Sequence, residues 1–311
     1  MTPISSSSTP STSSTVSTPL TDHRSASLGA VLRFEWVKLR GRRITWVPFL
    51  MIAIVIGLIV TVFHHFQFSY AKKIFSTFGL VFQHKEQFVN GYYMSAHAMN
   101  PIFQILMPIF ISVASGLMIA GEAEHGTLRA CLVRPVSRGR LLGAKFITLA
   151  GYALVLSFFA IVLLLGLGFL NFGTGNLYSL NILFNNGQEG ASTVPAAEVP
   201  LRFVTAWLLA TAGQMILAAL ALLISSLVES AAMAYVITLS IYFAFLALRS
   251  FPFLEWLYPY LFVTHMLRWQ QCFGSYVRTG DIYVSLIHLA GYLIALLAAA
   301  VLLFEQRDVK S

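Results

Sequence analysis

Six long apolar runs follow one another between residues 44 and 304, and none contains Asp, Glu, Lys or Arg. Each is near or above the roughly 20 residues that a helix needs to cross the hydrocarbon core of a bilayer. The runs are Ile44–Phe63, Pro101–Ala120, Phe146–Leu170, Phe203–Val228, Ala231–Leu248 and Ile282–Phe304. They lack the ten-residue alternation of membrane β-barrels. The pattern predicts an all-α integral membrane protein with six transmembrane helices in one domain, residues 28–311.

Two segments precede the first run. Residues 1–27 are mostly Ser, Thr and Pro without apolar periodicity, which predicts a disordered tail. Residues 28–43 place apolar side chains at helical spacing among basic ones, which favours an interfacial helix lying in the headgroup plane. Its apolar positions are Leu28, Val31, Leu32, Trp36 and Leu39.

A seventh apolar segment, residues 251–267, does not look like a span. It contains two prolines and Glu255, and it is rich in Trp and Tyr. Proline breaks a helix, a charge at mid-bilayer costs about 2.5–3.5 kcal/mol, and aromatic residues favour the membrane interface. We therefore predict a re-entrant or interfacial element on the outer face.

Composition and charge agree with a multi-pass membrane protein. The chain is 57% hydrophobic and 10% charged, whereas soluble domains carry about 25% charged residues. With the N-terminus inside, 13 of the 20 lysines and arginines fall on the inner side. The positive-inside rule then predicts a protein of the cell membrane with both termini in the cytosol.

The polar content of the runs argues against some transport classes. Ion-coupled carriers need ionisable groups near the midplane, and ion channels need a filter or a charged ring. Gln104 and Gln214 are the candidates for lining a translocation path, although both could simply join helices by hydrogen bonds. A path lined by Leu, Phe, Ala and Ser suits a hydrophobic or amphipathic cargo.

Energy for transport would have to come from another chain. The sequence has no phosphate-binding loop, since the nearest candidate, residues 139–146, has the wrong spacing and lacks the Ser or Thr. ATP hydrolysis, if used, therefore belongs to a partner.

The inner loop between the second and third runs carries the most specific pattern. Thr127 can cap a short helix, Leu128–Val133, which Pro135 ends. Ser137 can then cap the helix that continues into the third run. The expected result is a short helix held sideways at the cytosolic membrane face.

This loop resembles that of ABC type-2 exporter permeases. The resemblance rests on a Glu at the end of the second span, Gly-Thr, a Leu-rich short helix, Pro-Val-Ser-Arg and Lys145. It implies a cytosolic coupling helix that docks into a nucleotide-binding subunit carrying ATP and Mg, and a second permease chain in a homodimer or heterodimer. This chain would be a transport subunit, not an enzyme, without a cofactor of its own. The coupling residues would be Glu122, Gly126, Thr127, Leu128, Arg129, Leu132, Arg134, Pro135, Ser137 and Arg138.

Further candidates are less specific. Glu229, in the inner turn after the fourth run, is either a second contact to the ATPase or a solvated carboxylate. Glu122 and Glu124 could pair with Arg129 or with basic residues of the N-terminal helix. The outer-face histidines match no metal motif, so we expect no metal site, and the expected partners include membrane lipid but no nucleic acid.

Two other functions stay open at this point. A non-transporting membrane anchor or assembly subunit would have the same spans without needing an ATPase. An intramembrane lipid-modifying enzyme would need a reactive polar cluster at one membrane depth, and the sequence suggests none.

Overall fold

The computed structural model describes residues 27–78, 89–124, 137–180, 191–274 and 277–306. The helices are α1 (Leu28–Gly41), α2 (Val47–Phe78), α3 (Gly91–Pro101), α4 (Met107–Gly116), α5 (Ala120–Glu124), α6 (Arg138–Phe172), α7 (Val199–Leu227), α8 (Ala231–Leu248), α9 (Phe262–Met266) and α10 (Thr279–Gln306). Short 3₁₀ turns occupy Arg43–Thr45, Pro252–Tyr260 and Arg268–Phe273, and a π-helical turn occupies Ile102–Leu106. Strands β1 (Leu177–Leu180) and β2 (Ala191–Val194) pair antiparallel.

Six helical stretches in the described parts of the chain are long and apolar enough to cross a membrane. They are Arg43–Phe66, Gly91–Glu124, Arg138–Phe172, Val199–Leu227, Ala231–Leu248 and Thr279–Phe304, numbered below as the first to sixth spans. The prediction of an all-α protein with six spans is confirmed. Several helices continue past the predicted bounds, because charged residues end an apolar run without ending backbone hydrogen bonding.

The second and fourth spans form the centre of the bundle. Their most apolar windows are 61% and 72% buried inside the protein, compared with 11% for the sixth span. The six spans begin and end alternately at two faces of the bundle. We call the face with α1, Glu124 and Arg138 the α1 end, and the face with β1 and β2 the hairpin end.

The predicted N-terminal helix is present as α1, with Ser27 at its N-cap. Its buried stripe is Val31, Glu35 and Leu39, and Val31 packs with Leu141 and Ala144 at the start of α6. Leu28 and Trp36, which the apolar pattern placed on the same face, are both exposed on the protein surface.

The second span is interrupted twice. Pro101 has no N–H to donate, and the helix widens into the π-helical turn directly after it. A second break at residues 117–119 separates α4 from α5. Gly116 lies just before this break, where an added Cβ would approach the Ala231 carbonyl oxygen to 3.1 Å. The second and fifth spans therefore cross closely at the α1 end.

Residues 251–267 form short helical turns rather than a span. The 3₁₀ turn Pro252–Tyr260 runs into α9 through the extended residue Leu261, and the 3₁₀ turn Arg268–Phe273 follows. This segment lies at the hairpin end between the fifth and sixth spans. The short turns agree with the prediction that it is not a seventh span.

Candidate functional site

Four charged side chains meet in the interior at the α1 end. Glu35 and Lys38 come from α1, Glu122 from α5 and Lys145 from α6. The Lys145 Nζ donates to Glu122 Oε1 at 2.7 Å and lies 3.2 Å from both carboxylate oxygens of Glu35. The Lys38 Nζ donates to the same Oε1 atom of Glu122. We call these four residues the charge cluster.

The charge cluster is neutral overall and nearly dry. Glu35, Glu122 and Lys145 are at most 1% exposed, while the side chain of Lys38 is 24% exposed. Burying an unpaired charge costs several kcal/mol, so such groups persist only when opposite charges and hydrogen bonds compensate. Here two carboxylates face two ammonium groups, which fixes the relative positions of the three helices that carry them.

The charge cluster joins both ends of the inner loop. Glu122 lies two residues before the end of α5, and Lys145 lies two turns into α6. The segment 125–136 connects these two helices, so the Lys145–Glu122 bond closes the loop at its base. Glu35 and Lys38 attach α1 to the same point.

Hydrogen bonds extend from this region to the other spans. Arg138 donates to the Phe304 carbonyl at the end of the sixth span, at 3.1 Å. The Ala231 amide, at the start of the fifth span, donates to Glu124 Oε2 at 3.1 Å. A carboxylate at a helix N-terminus is favourable because it meets both free N–H groups and the positive end of the helix dipole.

Side chains also satisfy the backbone groups released at the break of the second span. Ser225 of the fourth span accepts from the Ala120 amide at 2.8 Å and donates to the Gly116 carbonyl at 3.3 Å. Arg42 donates to the Leu117 carbonyl at 3.2 Å. The break is therefore held by Arg42, the residue that follows α1, and by Ser225 of the fourth span.

Most of the predicted coupling residues lie outside the described residues. These are Gly126, Thr127, Leu128, Arg129, Leu132, Arg134 and Pro135, and the predicted short helix lies with them. Ser137 occupies the N-cap position of α6, but its side chain makes no capping hydrogen bond. The predicted capping by Ser137 is thus right in position and wrong in mechanism.

The other predicted residues occupy different places. Glu122 pairs with a basic residue of the N-terminal helix, as predicted. Glu229 is exposed in the turn between the fourth and fifth spans. Gln214 is buried and donates to the Phe103 carbonyl in the π-helical turn at 3.0 Å. Gln104 is half-buried and faces a cavity at the hairpin end.

Sequence reasoning missed Glu35. The signal was present, because Glu35 stands between Val31 and Leu39 at four-residue spacing on the buried stripe of α1. A carboxylate in the apolar stripe of an amphipathic helix requires a buried cation, and Lys145 supplies it. Among the described residues, no three His, Cys, Asp or Glu side chains are grouped to hold a metal ion.

Comparison with known proteins decides the family. Residues 30–309 match the family model described as ABC-2 family transporter protein. The chain belongs to the ABC-2 transporter family. It is therefore a membrane permease of an ABC transporter, a transport subunit and not an enzyme, and family membership implies that it works with an ATP-binding subunit.

The chain is also similar in sequence to the uncharacterized protein YhcI of Bacillus subtilis (strain 168). The two sequences are 25% identical over 216 residues, which cover 67% of this chain and 66% of YhcI. The aligned region thus spans slightly less than two thirds of that relative. In this permease, the charge cluster lies at the base of the inner loop and joins the two helices that the loop connects.

Proposed function

We propose that this permease is the membrane subunit of an exporter for hydrophobic or amphipathic substrates. ATP and Mg are bound by a separate nucleotide-binding subunit, and two permease chains, identical or different, enclose the path. The protein lies in the cell membrane with both termini in the cytosol, so the α1 end faces the ATPase. The exposed residues Phe34, Trp36 and Val37 support an interfacial position for α1 in the headgroup plane.

The observation that carries this proposal is the closed base of the inner loop. The segment 125–136 leaves α5 and enters α6, and Lys145 binds Glu122 across that gap. A displacement of the loop by the ATPase therefore moves α5 and α6 together, and Glu35 brings α1 with them. Without the charge cluster, loop motion would be absorbed where α5 ends and α6 begins.

The motion then has defined routes to the rest of the bundle. Arg138 reaches the sixth span, Glu124 reaches the fifth, and Ser225 links the break of the second span to the fourth. ATP binding would close the two ATPase subunits, move the loop and repack the spans in an alternating-access cycle. Glu229, exposed at the same end, is proposed as a second ATPase contact.

One cavity in the bundle has a largely apolar lining, which supports an apolar or amphipathic cargo. A cavity of about 210 Å³ lies between the start of the first span and the second span. Its lining is largely apolar and includes Ile44, Val47, Ile109 and Phe110, with Arg42 as a charged member. An apolar pocket with one cation in its lining suits an amphipathic molecule. Gln104 and Gln214 remain predicted contacts along the path.

The experiment is co-purification with the ATP-binding subunit in mild detergent, followed by hydrogen exchange with and without ATP and vanadate. We expect a stoichiometric complex that hydrolyses ATP, with exchange changes at the hairpin end. The double substitution Glu35→Gln with Lys145→Met removes one negative and one positive charge and leaves the Lys38–Glu122 pair. It should keep the complex and lose the exchange response at the hairpin end.

A matched control is Glu198→Gln with Arg202→Met, which removes an ion pair at the hairpin end. The control should keep the ATP-dependent response. A complex whose response survives the Glu35/Lys145 substitution would contradict the coupling role. A stable chain that recruits no ATPase would instead support a non-transporting anchor or assembly subunit.

A further inference from the structure

A polar cavity of about 600 Å³ opens at the hairpin end, on the face opposite the charge cluster. Its walls come from the second, fifth and sixth spans and from the short turns between residues 252 and 273. The lining includes Gln104, Arg249, Glu255, Arg268 and Gln271. The proposed coupling route uses none of these side chains. We call this space the arginine cavity.

The arginine cavity holds positive charge that the described residues neutralise only in part. The Arg249 guanidinium is half-buried and makes no hydrogen bond or ion pair with any described residue. Burial, with the nearby Arg268 as a smaller cause, lowers the pKa of Arg249 below its usual value. Arg268 donates to Ser285 Oγ at 3.1 Å, and its nearest carboxylate oxygen, in Asp281, is 3.8 Å away.

The carboxylate of Glu255 also lines the cavity, but it does not complete the site. Glu255 is exposed and forms no ion pair within 4 Å among the described residues. It therefore reduces the local positive potential without occupying either guanidinium. Both arginines retain N–H groups that can bind a ligand, because a guanidinium has five donors.

Neutral polar groups complete the lining. Thr264 Oγ1 and Gln271 Oε1 are buried, yet neither has a hydrogen-bond partner in the described part of the chain. Buried polar atoms without partners are uncommon in native proteins and mark places where a further group binds. The Thr264 hydroxyl can donate to an oxyanion, and Gln271 can accept from a hydroxyl on the same ligand.

Hydrogen bonds and a ring stack hold one wall of the cavity in place. His265 Nε2 lies 2.9 Å from the Pro259 carbonyl, so it donates there, and Nδ1 accepts from Ser285 Oγ at 3.1 Å. The rings of His265 and His288 stack at 4.3 Å with a 10° interplanar angle. Burial, with smaller effects from His288 and Arg268, lowers the pKa of His265 and so favours its neutral imidazole. The site's positive charge thus comes from the two arginines.

We propose that the arginine cavity binds a phosphate group through Arg249 and Arg268. The planar guanidinium presents parallel N–H donors that match phosphate oxygens, and two guanidinium groups suit a group with several charged oxygens. Phe253, Trp256 and Tyr260, all about 70% exposed, stand on the adjoining 3₁₀ turn. Exposed aromatic side chains favour the membrane interface, which is the depth of a lipid headgroup.

The phosphate can belong to a lipid headgroup or to a soluble ester, and two probes distinguish these sources. The full chain is purified in an uncharged maltoside detergent and titrated with inorganic phosphate. A second titration uses dihexanoyl phosphatidylglycerol below its micelle concentration. Binding of both probes would assign the site to the phosphate itself, and binding of the lipid alone would assign it to a phospholipid headgroup.

The decisive variant is Arg249→Gln with Arg268→Gln, which should weaken binding about 10-fold or more because it removes the charge-assisted donors. The single substitution Arg249→Gln preserves the hydrogen bond from Arg268 to Ser285, so it serves if the double variant folds poorly. Arg278→Gln is the matched control, since Arg278 is exposed at the same end and outside the cavity.

The proposal would be overturned if neither probe binds, or if wild type and double variant bind the probes with equal affinity. Neither titration involves the ATP-binding subunit. Failure here therefore leaves the proposed exporter function untouched, and failure of ATPase recruitment leaves this site untouched.

Discussion

At the α1 end, two glutamates and two lysines share one neutral cluster, whereas at the hairpin end two arginines share a cavity with a single exposed glutamate. In the charge cluster every lysine donates to a carboxylate, and three of the four residues are at most 1% exposed. In the arginine cavity, Arg249 has no partner among the described residues, and open space adjoins both guanidinium groups.

The difference shows what burial requires of a charge. Where water is excluded, desolvation forces charges into complete pairs, and the pairs fix the helices that carry them. Where a cavity admits water, a charge can remain unpaired at modest cost and stay available to a ligand. Substitutions should therefore damage folding at the first region and binding at the second.

The largest effect should follow from Lys145→Met. It leaves Glu35 buried without its cation partner and Glu122 with Lys38 alone, which should cost about 3–5 kcal/mol of stability. Thermal unfolding in detergent, followed by tryptophan fluorescence, measures the loss. Arg33→Met, an exposed change on α1, should stay within about 0.5 kcal/mol of wild type. Equal stability of the two variants would contradict the structural role of the charge cluster.

A smaller effect should follow from Lys38→Met. Glu122 keeps Lys145 as a partner, and Lys38 is partly solvated, so the loss should be about 1–2 kcal/mol. The comparison with Lys145→Met in the same unfolding assay is the test. A loss of stability as large as that of Lys145→Met would contradict the partial solvation of Lys38.

A pH effect should come from His265. The folded protein holds the pKa of His265 below its usual value of 6.5, chiefly by burial. Below pH 6.5 the unfolded chain therefore binds the proton more readily, and stability falls as pH falls. Melting temperatures between pH 7.5 and 5 should decline less steeply in His265→Gln. Parallel declines in the two proteins would show that His265 is not the responsible group.

The smallest effect on stability should follow from Arg249→Gln. The side chain has no hydrogen-bond partner to lose among the described residues, and its removal relieves repulsion with Arg268. The free energy of unfolding should stay within about 0.5 kcal/mol of wild type or rise slightly. A clear drop in melting temperature would show that Arg249 is a structural residue, and the contrast between the two ends would weaken.

The six spans could be predicted because a helix that crosses the bilayer needs a long run of apolar residues, which is easy to recognise in the sequence. Twenty apolar residues have few alternatives to a transmembrane helix. The two interruptions of the second span gave almost no signal. Pro101 marks the first, but the second break, at residues 117–119, lies within an ordinary apolar run. It depends on Ser225 and Arg42, which are distant in sequence.

The charge cluster was only partly predictable. Glu122 and Lys145 stood out through their places beside the inner loop, and a partner for Glu122 on the N-terminal helix was foreseen. Glu35 was overlooked because its partner, Lys145, is 110 residues away. The arginine cavity could not be predicted from the sequence. Arg249 and Arg268 come to line one cavity only when the turns between residues 252 and 273 fold back beside the spans.

The break in the second span has a consequence for exchanging parts between permeases. Its backbone groups depend on Ser225 in the fourth span and on Arg42 after α1. A chimera that imports the second span alone would bury peptide groups without donors or acceptors. The transplantable module is therefore three segments from distant parts of the chain, which must be inherited or swapped together.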